Sequence, residues 1–386
     1  MPRVVRAGPG HDPVFPARLR HAVLRGENGD GLSHASDGQG HQERAQDRCA
    51  PGLVMWALRS GLLKRWMAVC TTLLSMTGHA GSHAPNGLDE RFDSSHRDIV
   101  RGPLRLTRAQ CEARRHAVWV ALTVNRPGQP PRQVDGCIRY FPSPQVAPGQ
   151  PVLFFFHGDR VEPGGLADGS FRQQMAQAQR IEQRSGMPTI SVARPGVYGS
   201  TVLNHRYDRR THEEVAVVSA AIDQIKARYG LDRISLAGQS GGGYLALAMV
   251  VSGRTDIDAV AASGAPAAVR VRAFHLRSNP ASDISTGQDW RNVYDPMDHI
   301  ADARPDARRK VYLIANRHDQ RIPYASVLAF VNAATRGKLP VVLLDGATGG
   351  GRQHHNHSRL SQRVIRWHRM GLGEQEIARK VAEGAE

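Results

Sequence analysis

From about residue 115 to residue 370 of the 386-residue chain, short apolar runs alternate with longer amphipathic segments. The strand-like runs His116–Asn125 and Gly136–Phe141 predict an antiparallel pair joined by a Pro/Gly-rich loop. Pro151–Phe156 is continuously apolar, the pattern of a strand buried on both faces. Further strand-like runs lie at Thr189–Ala193, Arg233–Ala237, Asp258–Gly264, Lys310–Ala315 and Pro340–Leu344. Helical spacing fills the intervals, at Phe171–Ser185, Thr211–Tyr229, Tyr244–Val250, Tyr324–Thr335 and Ser358–Met370. The clearest helix starts at Thr211, which forms a capping-box signature with Glu214. Its apolar stripe is Val215, Val218, Ile222 and Ile225, and Gly230 offers a stop.

Alternating β and α elements imply one α/β domain over residues 115–372, with a mostly parallel central sheet and helices on both faces. Residues 265–309 form the longest insertion between core strands and predict a small lid, carrying Arg270, Arg272, Arg277, Trp290 and Tyr294. Residues 85–114 read as a linker and residues 373–386 as a polar tail.

The start of the chain has a different texture. Residues 1–54 show no sustained period and read as a disordered or over-extended beginning. Residues 55–84 place Arg59, Lys64 and Arg65 before the apolar run Trp66–Met76 and small residues at 78–82, the order of a signal peptide. A buried amphipathic helix is the other reading of that run, which is too short for a stable membrane span. The expectation is a periplasmic or secreted protein whose mature chain begins near residues 81–85. Export would leave only Cys111 and Cys137, expected as one disulfide, with two buried free thiols as the alternative.

Formal net charge is +16, and the cations are nearly all arginine. No dense basic run or basic–aromatic interleaving accompanies that charge, so a solvated arginine-rich surface is expected and no nucleic-acid partner. No Cys/His cluster has metal-ligand spacing, so neither metal nor cofactor is expected.

The chemistry concentrates at Gly238-Gln239-Ser240-Gly241-Gly242-Gly243, between a strand pattern and a helix pattern. A serine at the apex of so sharp a turn needs neighbours without Cβ atoms, and at a helix N-terminus it meets the positive end of the dipole. Such a nucleophile needs a base, and the base an orienting carboxylate. Asp319 follows the strand ending at Ala315, although a cap for the helix near Pro323 would use the same residue. His354, His355 and His357 lie in the Gly-rich loop before the last predicted helix. His355 is the expected base, with His354 the alternative. A histidine metal cluster is the rival reading, and no carboxylate is suitably spaced for it.

On these residues the chain resembles the α/β-hydrolase superfamily, in which Ser, Asp and His follow successive strands in the order Ser240, Asp319, His355. The resemblance implies an α/β-hydrolase fold over about residues 115–370 and a serine hydrolase that needs no cofactor. His157-Gly158-Asp159 matches the H-G motif of that superfamily. By analogy, the backbone N–H of Gly241 and one from the Asp159–Arg160 region would form the oxyanion hole. Arg194–Ser200 is similar to a loop of bacterial hydrolases related to the prolyl-oligopeptidase-like group, where Tyr198 or Arg194 would touch substrate or shape the pocket, unless the segment is a structural turn. Gln239 and Tyr198 are the expected substrate contacts. A basic lid would favour anionic substrates. The expected reaction is cleavage of a small-molecule ester through an acyl-enzyme. A peptidase acting on short peptides and a non-catalytic binding protein on this scaffold are the alternatives.

Overall fold

The computed structural model describes residues 91–92, 105–160, 169–276, 290–346 and 351–384. The expectations for residues 1–54 and 55–84 therefore lie outside the described residues, as does Arg277. Eight strands form the main sheet: β2 (Ala117–Arg126), β3 (Gln129–Pro142), β4 (Val152–Phe156), β6 (Thr189–Val192), β7 (Ile234–Gln239), β8 (Ile257–Ser263), β9 (Lys310–Ala315) and β10 (Val341–Asp345). Across the sheet the order is β10-β9-β8-β7-β4-β6-β3-β2. The six strands from β4 onward in this set run parallel, and the β2–β3 hairpin adds on antiparallel through Tyr140–Pro142 against β6. β1 (Arg91–Phe92) pairs separately with β5 (Gly169–Ser170).

Period-two alternation builds the core. In β4, Val152, Phe154 and Phe156 enter one apolar cluster, while Leu153 and Phe155 enter the cluster on the other face. The first cluster is closed by α3 (His212–Tyr229), α4 (Gly241–Val251) and α6 (Tyr324–Arg336). The second is closed by α2 (Phe171–Ser185), α7 (Ser358–Arg369) and α8 (Glu374–Ala382). Both faces are thus covered, as the unbroken apolar runs required.

Four expectations need correction. The hairpin is longer than the two strand-like runs suggested, because β3 begins at Gln129, immediately after a Pro127-Gly128 turn. Its Pro130 and Pro131 pattern reads as loop, yet the residues sit on a strand stretch whose other edge is unpaired, where a missing N–H costs little. Residues 373–386 are not merely a tail, since α8 buries Ile377 and Val381 completely. Nor is 85–114 a plain linker. Phe92 is buried, and α1 (Arg108–Glu112) starts with a complete Thr107–Gln110 capping box and carries Cys111 into a disulfide with Cys137. Finally, Tyr294 of the insertion is no lid residue: it is buried, its ring stacks on His299, and its carbonyl accepts a hydrogen bond from Tyr244 Oη at 2.8 Å. Within the insertion the described part begins as α5 (Val269–Leu276), which packs against α6.

Candidate active site

Ser240 stands between β7 and α4 with φ 55° and ψ −121°, a conformation that side-chain sterics disfavour. The surroundings enforce it. Ser240 N donates to Ser263 O at 2.8 Å, and Tyr244 N donates to Ser240 O at 2.9 Å, so the turn is tied to β8 and to the first turn of α4. A Cβ at Gly242 would collide with the Phe156 carbonyl, and one at Gly241 with the Asp159 carboxylate and the Arg194 guanidinium. The glycines are therefore demanded by contact with β4 and the loop beyond it, as well as by the turn itself.

The loops after β9 and β10 meet at this point. His355 Nδ1 donates to Asp319 Oδ2 at 2.9 Å, leaving Nε2 as the free ring nitrogen. The other carboxylate oxygen of Asp319 accepts from Arg321 N at 2.8 Å and Ile322 N at 2.9 Å, which fixes the plane of the carboxylate. Asp319 thus serves a local turn and the imidazole together, and α6 begins at Pro323 without any side-chain cap. His354 takes φ 52° and its ring lies beside His318. His357 is buried, donates from Nε2 to His354 O at 3.1 Å, and is held neutral by burial, which lowers its pKa. Of the three loop histidines, the structure brings His355 to Asp319. Ser240 and His355 line one cavity of about 390 Å³; among the described residues no hydrogen bond joins Ser240 Oγ to the imidazole.

Gln239 lines the same cavity, and its amide also has structural partners. Its Oε1 accepts from Ser263 Oγ at 2.8 Å and from His357 N at 3.0 Å, and its Nε2 donates to His355 O at 2.7 Å. The amide pins the histidine loop to the serine turn. Tyr198, expected as a substrate contact, is placed elsewhere. It is buried at φ 50°, with its ring edge-to-face on His157 at 4.9 Å and near Phe92 at 6.3 Å, so it supports the His157 loop and does not line the cavity.

Asp159 lies on the cavity wall beside Gly241. Its carboxylate is paired with Arg194 at 2.6 Å, with Arg210, and with Arg209 at 3.4 Å. Burial pushes the Asp159 carboxyl up, but Arg210, Arg194 and Arg209 outweigh that and hold it well below the ordinary carboxylate value. Arg194 continues to Glu214 at 2.7 Å, and Glu214 Oε2 accepts from Arg210 N at 2.6 Å. This is why the capping box expected at α3 is only half made. Thr211 Oγ1 still accepts from Glu214 N, while the Glu214 carboxylate is taken by the arginines. His157 belongs to the same scaffold: Nδ1 donates to Gly158 O at 2.7 Å, Nε2 accepts from Arg194 N at 3.2 Å, and burial lowers its pKa to about 3. The turn carrying Gly158 is thereby held rigidly against Ser240, whose Cβ lies 3.4 Å from where a Gly158 Cβ would be. This buried network was missed at the level of sequence. The sequence does not show that arginines and acids spread over residues 159–214 pair with one another; only the H-G-D triplet and the reading of Arg194 as a residue that shapes the pocket hinted at it.

Sheet order and the strained serine turn between β7 and α4 define an α/β-hydrolase fold. Residues 200–374, which hold Ser240, Asp319 and His355, match the prolyl oligopeptidase family. Among solved structures, an acylaminoacyl peptidase from Pyrococcus horikoshii is similar at 13% identity and TM-score 0.43, the match covering 68% of this chain and 44% of that one. The chain therefore spans under half of that relative's length. An esterase from Pyrococcus furiosus is similar at 12% identity and TM-score 0.42, over 73% of this chain and 98% of that one. A puromycin-hydrolyzing peptidase from Mycobacterium tuberculosis is similar at 16% identity and TM-score 0.41, over 67% and 40% of the two chains. No curated protein matches.

Proposed function

We propose that this protein is a serine hydrolase that cleaves a carboxylic ester through an acyl-enzyme. Ser240 Oγ attacks the carbonyl carbon while His355 Nε2 takes its proton, and Asp319 stabilises the resulting imidazolium. The carbonyl oxygen, now anionic, is held by backbone N–H groups of Gly241 and the Asp159 turn, at the positive end of α4. Collapse expels the alcohol, which receives the proton from His355. Water then repeats the sequence on the acyl-enzyme and releases the acid. The observation that carries this reading is the His355–Asp319 bond at 2.9 Å beside a serine held at φ 55° on the same cavity.

A peptidase acting on short peptides is the second reading, favoured by the prolyl oligopeptidase match over residues 200–374. Fluorophosphonate labelling of the wild type and of Ser240→Ala tests the common chemistry. The expected outcome is labelling lost in the variant, together with a fall in turnover of roughly four orders of magnitude. A folded wild type that takes no label would sink both readings. Aryl esters against matched anilides then separate ester from amide cleavage.

Export is part of the proposal, supported by the basic and apolar order of residues 55–84 and by the Cys111–Cys137 disulfide. N-terminal sequencing of protein recovered outside the cytoplasm is expected to begin near residues 81–85.

A further inference from the structure

The turn after β4 is gripped by the loop that follows β6. Arg194, Arg209 and Arg210 of that loop hold the Asp159 carboxylate. They fix the side chain, and the backbone is fixed separately. Gly158 O accepts from His157 Nδ1 at 2.7 Å, and Arg160 N donates to His205 Nε2 at 3.2 Å. His205 takes no part in the proton path described above. It is 2% exposed, and its ring centre lies 6.2 Å from that of His157.

The two partners of the His205 ring leave it one tautomer. A carbonyl only accepts, so Nδ1, 3.1 Å from Pro195 O, carries the proton. A backbone N–H only donates, so Nε2, which faces Arg160 N, is bare. The imidazole is therefore neutral, and burial together with the Arg194 charge holds its pKa well below the usual histidine value. The loop that carries it is folded back tightly: Gly196 takes φ 75°, and a Cβ there would lie 2.6 Å from His205 N.

These bonds sort the backbone donors of the turn. Arg160 N–H is occupied by His205, which takes it out of the oxyanion hole. Asp159 N–H lies on the opposite side of the Gly158–Asp159 peptide from the carbonyl that His157 holds. It has no hydrogen-bond partner among the described residues, and Asp159 lines the cavity with Ser240. We propose that His205 is a positioning residue: by accepting from Arg160 N it aims the Asp159 N–H at the carbonyl oxygen of a substrate bound at Ser240. The inference rests on the hydrolase reading above and deepens it by naming what sets the second oxyanion donor.

The test replaces one end of the imidazole at a time. In His205→Gln the amide oxygen reaches about as far as Nε2, and in His205→Asn only about as far as Nδ1. Kinetics on p-nitrophenyl butyrate are expressed per serine labelled to completion with fluorophosphonate, so that a misfolded fraction does not count. His205→Asn is expected to lower kcat about ten- to a hundredfold with KM within about twofold. It should weaken phenylboronic acid, whose tetrahedral adduct fills the oxyanion hole, by a similar factor. His205→Gln is expected to keep kcat and boronate affinity within about fivefold of wild type. A structural role alone would change the labelled fraction and the melting temperature while leaving both readings per site untouched. In the wild type, which needs no variant to fold, nitrogen NMR is expected to show His205 Nδ1 protonated and Nε2 bare. The other tautomer, or His205→Asn with kcat and boronate affinity within about twofold of wild type per labelled site, would overturn the positioning proposal alone. A wild type that takes no label and turns over no ester would instead overturn the hydrolase reading beneath it.

Discussion

At the scale of single residues, Gln239 and Gly264 each act on the His355 imidazole, the proposed base, without being part of its proposed proton path. Gln239→Ala removes the two hydrogen bonds that hold the His355 loop and the one that anchors the amide to Ser263. Its expected signature is a fall in kcat of about ten- to a hundredfold with KM little changed, because misplacing a base by a fraction of an ångström raises the barrier more than it weakens binding. Steady-state kinetics on one ester distinguishes this from a substrate contact, which would raise KM. Gly264 takes φ 51°, and a Cβ there would lie 3.1 Å from the His355 ring. Gly264→Ala is expected to cost about 1–2 kcal/mol of stability by thermal denaturation, and turnover with it. The serine, the acid and the family of candidate bases were legible as residues following strands. The brackets around them were not. A glutamine next to a serine announces nothing of the loop 116 residues away that it will hold.

At the scale of elements, most helices and parallel strands were written in the apolar spacing, since burial on two faces leaves no choice of residue. What escaped was stabilised from elsewhere. α8 has only Ile377, Ala378 and Val381 to bury, too few to read as a helix, but the second core face supplies their partners. Ile377→Ala is expected to lower stability by about 2–5 kcal/mol in urea titrations, as a fully buried side chain should. The short turn after Asp295 shows another effect. Asp295 accepts from Met297 N and Arg270 N, joining that turn to α5, and is almost wholly buried. Burial, aided by Asp298, raises its pKa from the ordinary 3.8 to about 6. The folded protein therefore binds this proton more tightly than the unfolded chain does. The resulting stabilisation is complete below about pH 4 and lost as pH rises through about 6. Asp295→Asn keeps the capping acceptor and removes the titration. Its stability relative to wild type is expected to rise between pH 4 and pH 7 by up to about 3 kcal/mol, measured as the shift in urea midpoint.

At the scale of the whole molecule, the site is assembled from both halves of the sheet. The family match begins at residue 200, so it includes the serine, acid and base but not β4 or the Asp159 turn that flanks the serine. The β2–β3 hairpin, at the far edge, is tied down by Cys111–Cys137 across 26 residues. Reduction of that bond is expected to lower stability by about 3 kcal/mol, read from thermal denaturation with and without reductant, while leaving turnover of the folded fraction unchanged. The union of the serine turn and the histidine loop through one buried amide has a further consequence on heating. Many enzymes lose activity below their melting temperature because a catalytic loop frays first. Here the loop cannot open without pulling on β7 and β8 through Gln239 and Ser263, in the centre of the sheet. Inactivation and melting are therefore expected to coincide, so that the temperature at which the protein stops working marks the collapse of its core.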